Sequence, residues 1–510
     1  MFVRKKKNKS GVISIQIIDK SSGEYHLYRT VGSSNDAAEI ARLYKEARKE
    51  IEGITGQQQL SFEADKEKEL VDVFFNSIKD FKLSGPELLL GRIFDEIGFC
   101  KIPDELFRHL VITRLVYPVS KLKTVDYLFK YKGIHVDATR VYRYLDKLTQ
   151  QQIAQVQRIS YEHTLQVLNH HLSIVFYDVT TLYFEAANED DFRQTGFSKD
   201  GKHQQPQIVL GLLVSMVGYP LAYELFEGSK FEGHTMIPVI EAFKEKYQLE
   251  KLVVVADAGL LSAKNIQALC EKGYEFILGA RIKNETEQIK QWLLSLKLDD
   301  GQSKATSNHQ GQKLIVSYST QRAKNDAYNR KRGLQKLEKA LAGGKLTKQH
   351  INNKGYNKYL RLDGEIKISI DYAKFKDDEK WDGLKGYLTN TQLTKEEVIE
   401  SYKQLWFVEK TFRISKTDLR IRPIFHYVKR RIEAHICIAF AACKVYKELE
   451  RQLNEKKAGI SPEKAINILK TIWSITITTP HSQTKHTRLL LKNQEQSELL
   501  KLFDLVQVSQ

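Results

Sequence analysis

The sequence predicts an α/β fold, α+β overall: a mixed sheet flanked by helices, with a β-containing insertion and a mostly helical N-terminal region. Three observations carry it. Residues 172–177 (LSIVFY) are a short β-branched and aromatic run between polar stretches, as an interior strand requires. Two further strands, 207–217 and 221–226, follow over links such as Gly218-Tyr219-Pro220, so the three form an antiparallel meander, because a parallel pair needs a longer crossover. Helices then alternate with strands: helix 234–247, strand 251–256, helix 262–272 and strand 275–280, giving the order β-β-β-α-β-α-β.

The first residues, Arg4 to Lys9, are a basic cluster expected as a solvated arm. Ile13, Ile15 and Ile17 alternate, a turn spans 19–23, and Tyr25, Leu27 and Arg29 complete a β-hairpin, so residues 1–32 read as one segment. Residues 33–170 read as helices broken at 53–59, 84–86, Pro103, Pro118 and Gly133. Within them Arg140, Arg143 and Lys147 share a helical face opposite Val141, Tyr144, Leu145 and Leu148, which suits either a DNA groove or a solvated bundle surface. The sheet occupies 171–282 and resumes at 384–450. The interval 283–383 reads as an insertion with strand candidates 313–318 and 365–372 and a basic helix near 322–348, and 451–510 as a C-terminal helical region.

Composition narrows the function. The 510 residues carry 80 Lys+Arg against 63 Asp+Glu, a net +17 that favours a polyanionic partner, nucleic acid first. The four cysteines (Cys100, Cys270, Cys437, Cys443) form no CxxC pair, which argues against a disulfide framework or a cysteine zinc site. No apolar run approaches the roughly 18 residues of a membrane span, and a cytoplasmic, nucleoid-associated protein is expected.

Three carboxylates stand out. Asp178 ends an apolar run, and an ionised group there is costly unless a cation or metal pairs with it. Asp257 follows the strand 251–256, so both acids fall near the C-terminal ends of core strands, where open α/β sheets build sites. The third, Glu409, lies on a long helix, 394–415, that starts at a Thr394/Glu397 capping box and places Tyr402, Leu405, Glu409 and Lys416 on one face. Lys410, Arg413, Lys416, Arg420, Arg422, Lys429, Arg430 and Arg431 follow against a single acid, Asp418, a field fit to grip phosphates. Three such acids are what a two-metal phosphodiester site needs, with Mg²⁺ suited to the hard ligands and Mn²⁺ as a substitute.

The segments FYDVTTLYFE, EGSKFEGHT, VVADAGLLS and YKQLWFVEKTFRISK resemble, in order, the motifs of bacterial insertion-sequence DDE transposases with an RNase H-like catalytic domain. The resemblance is to the insertion-sequence-four superfamily, marked by a Tyr, Arg, Glu, Lys helix motif. It implies that Asp178, Asp257 and Glu409 are the catalytic, metal-binding triad, that Tyr402 belongs to the helix motif, and that Lys416 contacts a phosphate at the cleaved end. Leu405 fills the usual arginine slot, with Arg413 as the substitute cation. The implied activity is Mg²⁺-dependent cleavage at insertion-sequence ends and 3′-OH strand transfer, by a homodimer on double-stranded DNA that holds terminal inverted repeats and target. A DNA-binding protein derived from a transposase and a structure-specific nuclease are the alternatives. Trp292, Trp381, His203 and His234 read as packing or loop residues, and Gly228 and Gly233 as turn geometry.

Overall fold

The computed structural model describes the chain except for residues 56–62, 186–187, 198–203, 250–251, 261, 309–310, 353–354, 364–366, 423, 480–481 and 506–510. His203 and the start of the strand expected at 365–372 lie outside the described residues. Tertiary contacts divide the chain into two units, Met1–Lys79 with Thr476–Thr487, and Asp80–Ile475 with Arg488–Gln510.

In the first unit, strands β1 (Phe2–Lys7), β2 (Ile13–Asp19) and β3 (His26–Ser34) pair antiparallel with β2 in the middle. Helix α1 (Ala37–Thr55) lays Ile40, Leu43 and Ala47 on Ile15 and Ile17. The expected hairpin is present, and the basic residues ahead of it are solvated as expected but form a third, paired strand. They pair with β2 from Phe2↔Ile18 to Lys7↔Ile13, and Lys5 Nζ lies 4.9 Å from the Tyr44 ring centre. Pairing satisfies β2's second row of backbone groups, and the lysine stems still reach water. Helix α2 (Glu63–Ser77) follows, and the boundary after Lys79 falls within strand β4 (Ile78–Leu83).

The second unit begins with helices α3 (Arg92–Ile97), α4 (Glu105–Val116), α5 (Lys121–Lys132), α6 (Ala138–Lys147) and α7 (Gln150–Val167). Their starts are set locally: Asp104, Ser120, Asp137 and Thr149 each accept a backbone N–H at the N-cap, and Gly133 ends α5 in the left-handed region at φ 65°.

Next come β5 (Ile174–Tyr183), β6 (Gln207–Ser215), β7 (Pro220–Glu227), α8 (Met236–Tyr247), β8 (Val253–Ala256), α9 (Ala263–Glu271), β9 (Glu275–Ala280), α10 (Glu287–Ser295), β10 (Ser303–Ser307), β11 (Lys313–Tyr318) and α11 (Thr320–Ala342). A small hairpin, β12 (Leu360–Asp363) with β13 (Lys367–Ile370), precedes α12 (Tyr372–Asp377) and β14 (Leu384–Thr389). One eight-stranded sheet runs β10-β11-β14-β9-β8-β5-β6-β7, with only the β5/β8 and β8/β9 pairs parallel. The meander and the two crossover strands are the five expected from sequence. The interval 283–383 contributes β10 and β11 to the same sheet, joined through β14.

Side-chain alternation sorts the sheet into two cores. Val175, Tyr177 and Val179 of β5 pack with α8 and α9 through Val239, Phe243 and Leu269. Phe176 and Leu182 face the other way, toward α14 (Trp406–Arg413) and α15 (Lys429–Glu455). Helix α15 is buried almost all round from Ile432 to Leu449, and it packs against α3, α4, α6, α7 and β7. The chain closes with α16 (Pro462–Leu469), β15 (Trp473–Thr478), β16 (Lys485–Leu490) and α17 (Gln494–Leu502), so the C-terminal region expected to be helical also holds strands. The alternation in residues 473–478 (WSITIT) explains the first of them. Among the described residues, no helix is long and apolar enough to cross a membrane.

Asp146 ties α6 to the start of α15, accepting from Arg431 Nε and Nη2 at 2.8 and 2.7 Å and from Arg430 Nε at 2.7 Å. Those bonds, Arg431's first, hold its carboxyl down at about 2. A carboxyl depressed on folding stabilises the native state above its unfolded value near 3.9, and loses that contribution as pH falls through the folded value. Urea unfolding of Asp146→Asn should therefore show a deficit against wild type at neutral pH that closes as pH falls from about 4 toward 2.

Candidate active site

The parallel register of β5 and β8 builds the site. Tyr177 stands opposite Ala256 in the last pair of the ladder, and Asp178 and Asp257 are the residues that follow it on the two chains. β8 ends there, in the turn Ala258–Leu260, whereas β5 continues to Tyr183, paired with β6 through Asp178↔Leu212. Asp178 is thus mid-strand, at the point where parallel pairing stops, rather than at a strand end. It shares its sheet face with Phe176 and Leu182, the face covered by α14. Its Oδ1 accepts from the Val179 amide at 2.7 Å.

Helix α13 (Lys395–Lys403) brings Tyr402 to the second acid, and its hydroxyl donates to Asp257 Oδ1 at 3.0 Å. Burial first, and then Asp257 itself, push the Tyr402 hydroxyl far above its ordinary range, so it remains a donor. Gly279 makes room for it, since a Cβ there would fall 2.4 Å from Tyr402 Oη. Lys385 of β14 places Nζ 4.4 Å from the Tyr402 ring centre. Burial and Arg322 draw the Lys385 ammonium down, while Asp257 and Glu409 both pull it back up. One lysine therefore feels both acids.

Glu409 is exposed on α14, whose Val408, Thr411 and Phe412 are buried toward β5 and β6. The single helix expected over 394–415 is broken: Leu405 N bonds to Tyr402 O at 3.1 Å and Phe407 N to Gln404 O at 2.9 Å, an i+3 turn that separates α13 from α14. A π-turn, Ile414–Asp418, then carries Lys416. The common face expected for Tyr402, Leu405, Glu409 and Lys416 is lost at this break, because Tyr402 and Leu405 are buried at 5% and 6% exposure while Glu409 beyond it is exposed. Asp178 and Asp257 both follow the last pair of the β5/β8 ladder, and the charges of Asp257 and Glu409 both reach Lys385. Among the described residues, however, no three His, Cys, Asp or Glu side chains stand together closely enough to hold a metal ion.

The cations are dispersed. Lys416 is half-buried with Nζ 6.0 Å from the Phe412 ring centre, and Arg413 is exposed. Arg422 stacks 5.2 Å from the Tyr183 ring centre, and exposed Arg420 has a left-handed φ of 46°. Arg140, Arg143 and Lys147 are exposed on α6, whose principal neighbours are α5 and α15. Trp381 is buried and Trp292 packs on the same core, as expected, while His234 is exposed beside Phe231. A cavity of about 690 Å³ beside Asp257 is lined by Arg322 and Arg330 of the basic helix expected in the insertion, and by Arg281 and Lys385, which sequence reading missed. Lys385 was legible only as a lysine at a half-buried strand position in LKGYLT.

The order β7-β6-β5-β8-β9, antiparallel then parallel, with Asp178 on β5 and Asp257 directly after β8, is that of an RNase H-like fold. The chain belongs to the transposase DDE domain family, whose model matches residues 169–443. That class uses divalent metal ions in general, and the all-carboxylate oxygen set of Asp178, Asp257 and Glu409 is chemically suited to hard cations. A piggyBac transposase synaptic complex with hairpin DNA aligns at 11% identity with a TM-score of 0.38, over 76% of this chain and 79% of that one. The Mos1 transposase paired-end complex with left transposon end aligns at 13% identity and a TM-score of 0.16, over 31% of this chain and 53% of that one. The Mos1 mariner paired-end complex with Mn gives 14% and 0.14, over 31% and 60%. No curated protein matches.

The tight seat under Tyr402 is testable by thermal denaturation. Gly279→Ala should cost about 1–3 kcal/mol through overpacking. Gly259→Ala, whose Cβ would meet only Asp257 Oδ2 at 3.8 Å, should stay within about 0.5 kcal/mol of wild type.

Proposed function

We propose that this chain is a DNA transposase of the bacterial insertion-sequence kind, in the insertion-sequence-four superfamily. In this reading it cleaves double-stranded DNA at terminal inverted repeats and joins the freed 3′-OH to target DNA, in the manner of cut-and-paste transposition. The observation that carries the reading is the in-register pairing that sets Asp178 beside Asp257, on the face covered by the Glu409 helix. Asp178, Asp257 and Glu409 would hold divalent ions, Mg²⁺ or Mn²⁺, which activate the attacking oxygen and stabilise the leaving one.

The chain's own groups do the positioning. Tyr402 fixes one oxygen of Asp257. Lys385 and Arg322, which line the cavity with Asp257, offset the charge of an incoming phosphate. Lys416 and Arg413 grip the backbone near the cleaved end, with Arg413 standing in for the arginine that Leu405 replaces. Arg420 and Arg422 extend that grip, and the exposed α6 face of Arg140, Arg143 and Lys147 meets a groove or its phosphates. Two ends joined in concert call for a homodimer on DNA, acting in the cytoplasm at the nucleoid.

The test incubates purified protein and Mg²⁺ with a DNA fragment bearing the inverted repeats that flank its gene. Nicking at the repeat end is expected, and Asp178→Ala, Asp257→Ala and Glu409→Ala should each reduce it to background while duplex binding persists. Equal cutting of unrelated DNA would show a structure-specific nuclease instead, and tight repeat binding without cutting a derived DNA-binding protein. Sedimentation of the DNA complex reads the dimer, and a complex holding one protomer would contradict it.

A further inference from the structure

A second cavity, of about 590 Å³, is lined by basic side chains and, among the described residues, by no carboxylate. Arg114 from the end of α4, Lys121 from the start of α5, Arg420, Arg422, His426 and His435 all line it, and no aspartate or glutamate among the described residues does. Arg114 and Lys121 are only 5% and 6% exposed.

Arg114 is partly satisfied by long bonds to the carbonyls of Leu419 and Arg420 and to His435 Nδ1, each at 3.4 Å. None of these partners is charged. Burial alone draws the Arg114 guanidinium down to about 10. His435 Nε2 lies 3.2 Å from the Ile421 carbonyl, so with Arg114 donating to Nδ1 the ring is neutral and donates from Nε2. Burial and the surrounding cations keep His426 and His435 uncharged, with His426 held down at about 4. Asp146, the acid that acts on His426, is already engaged by Arg430 and Arg431.

Lys121 has less still. Among the described residues it makes no hydrogen bond or ion pair, and burial and Arg114 both disfavour its charge. It also occupies the first helical position of α5, behind the N-cap Ser120, where the positive end of the helix dipole opposes a cation. The ammonium is thus set against burial, a like charge and a helix terminus together, and no carboxylate among the described residues pairs with it. The same cavity receives the α5 N-terminus itself, an anion-binding element, through Ser120, Leu122 and Lys123. The cavity beside Asp257 differs, since its Lys283, Lys358 and Arg330 pair with Asp378 and Asp382.

We propose that this cavity is a phosphate site, in which Lys121, Arg114, Arg420 and Arg422 close on one phosphate group at the N-terminus of α5. The missing counter-charge is the ligand's. A phosphodiester of the DNA backbone or a free phosphate compound presents the same chemistry. Arg422 stacks on Tyr183, five residues beyond Asp178 on β5 and so roughly 17 Å along the strand, within reach of the same duplex.

The experiment uses the full chain, wild type and Lys121→Met, with Arg422→Gln as a second variant so that a folding defect in one does not decide the outcome. Melting is followed against inorganic phosphate, and duplex binding against salt. Wild type should be stabilised by phosphate. Lys121→Met should melt higher than wild type without phosphate, because an uncompensated buried charge is gone, and should lose the phosphate response. If the backbone supplies the group, each variant also makes the salt dependence of duplex binding shallower by about one phosphate contact. If a free phosphate compound supplies it, duplex binding is unchanged while the phosphate response is lost. A wild type that phosphate does not stabilise, together with unchanged salt dependence in both variants, overturns the proposal.

Discussion

The parallel pairing of β5 with β8 is the constraint on which the rest depends. Because Tyr177 opposes Ala256, both aspartates follow directly on the last pair of this ladder. A slip of one residue would turn one of them into the opposite core, where Val175, Val179 and Val254 pack. The register is held from both faces, by Phe176 and Val255 on one side and by Val254 and Tyr177 on the other. Tyr177 Oη is anchored in turn by a 2.8 Å bond to Thr235. A functional geometry is thus stabilised chiefly by apolar burial, which is indifferent to the charge it presents at its edge.

Charge is handled differently in two of the protein's cavities. Beside Asp257 acids and cations are mixed: Tyr402 donates to Asp257, Lys385 feels the charge of both Asp257 and Glu409, and Arg330 pairs with Asp382. Around Lys121 the charges are all of one sign. Leaving buried cations unanswered lowers stability, and their clustering at a helix N-terminus directs that cost toward anion recognition.

Much of the sheet was legible in the sequence because strand signals are local. Apolar runs 172–177 and 251–256, short links and a capping box at Thr394 marked β5, β8 and the start of α13 where they stand. The break at Leu405 was not legible, since helical periodicity continues across it and only burial of Leu405 shows which way the chain turns. Strand β1 was hidden by its lysines, because an edge strand with exposed charged side chains has a tail's composition. The Lys121 cavity was hidden by distance along the chain, since Arg114 and His435 are brought together by the packing of α4 on α15.

The sequence by itself determined the charge of the molecule, the order of its core strands and the three acids worth watching, because each follows from residue type and short-range pattern. Only the tertiary structure decided that Asp178 and Asp257 are neighbours, that Tyr402 and Lys385 serve them, and that Arg114 and Lys121 face a common space. Strand register and helix packing are settled by contacts between residues far apart in the chain, and no local periodicity encodes them.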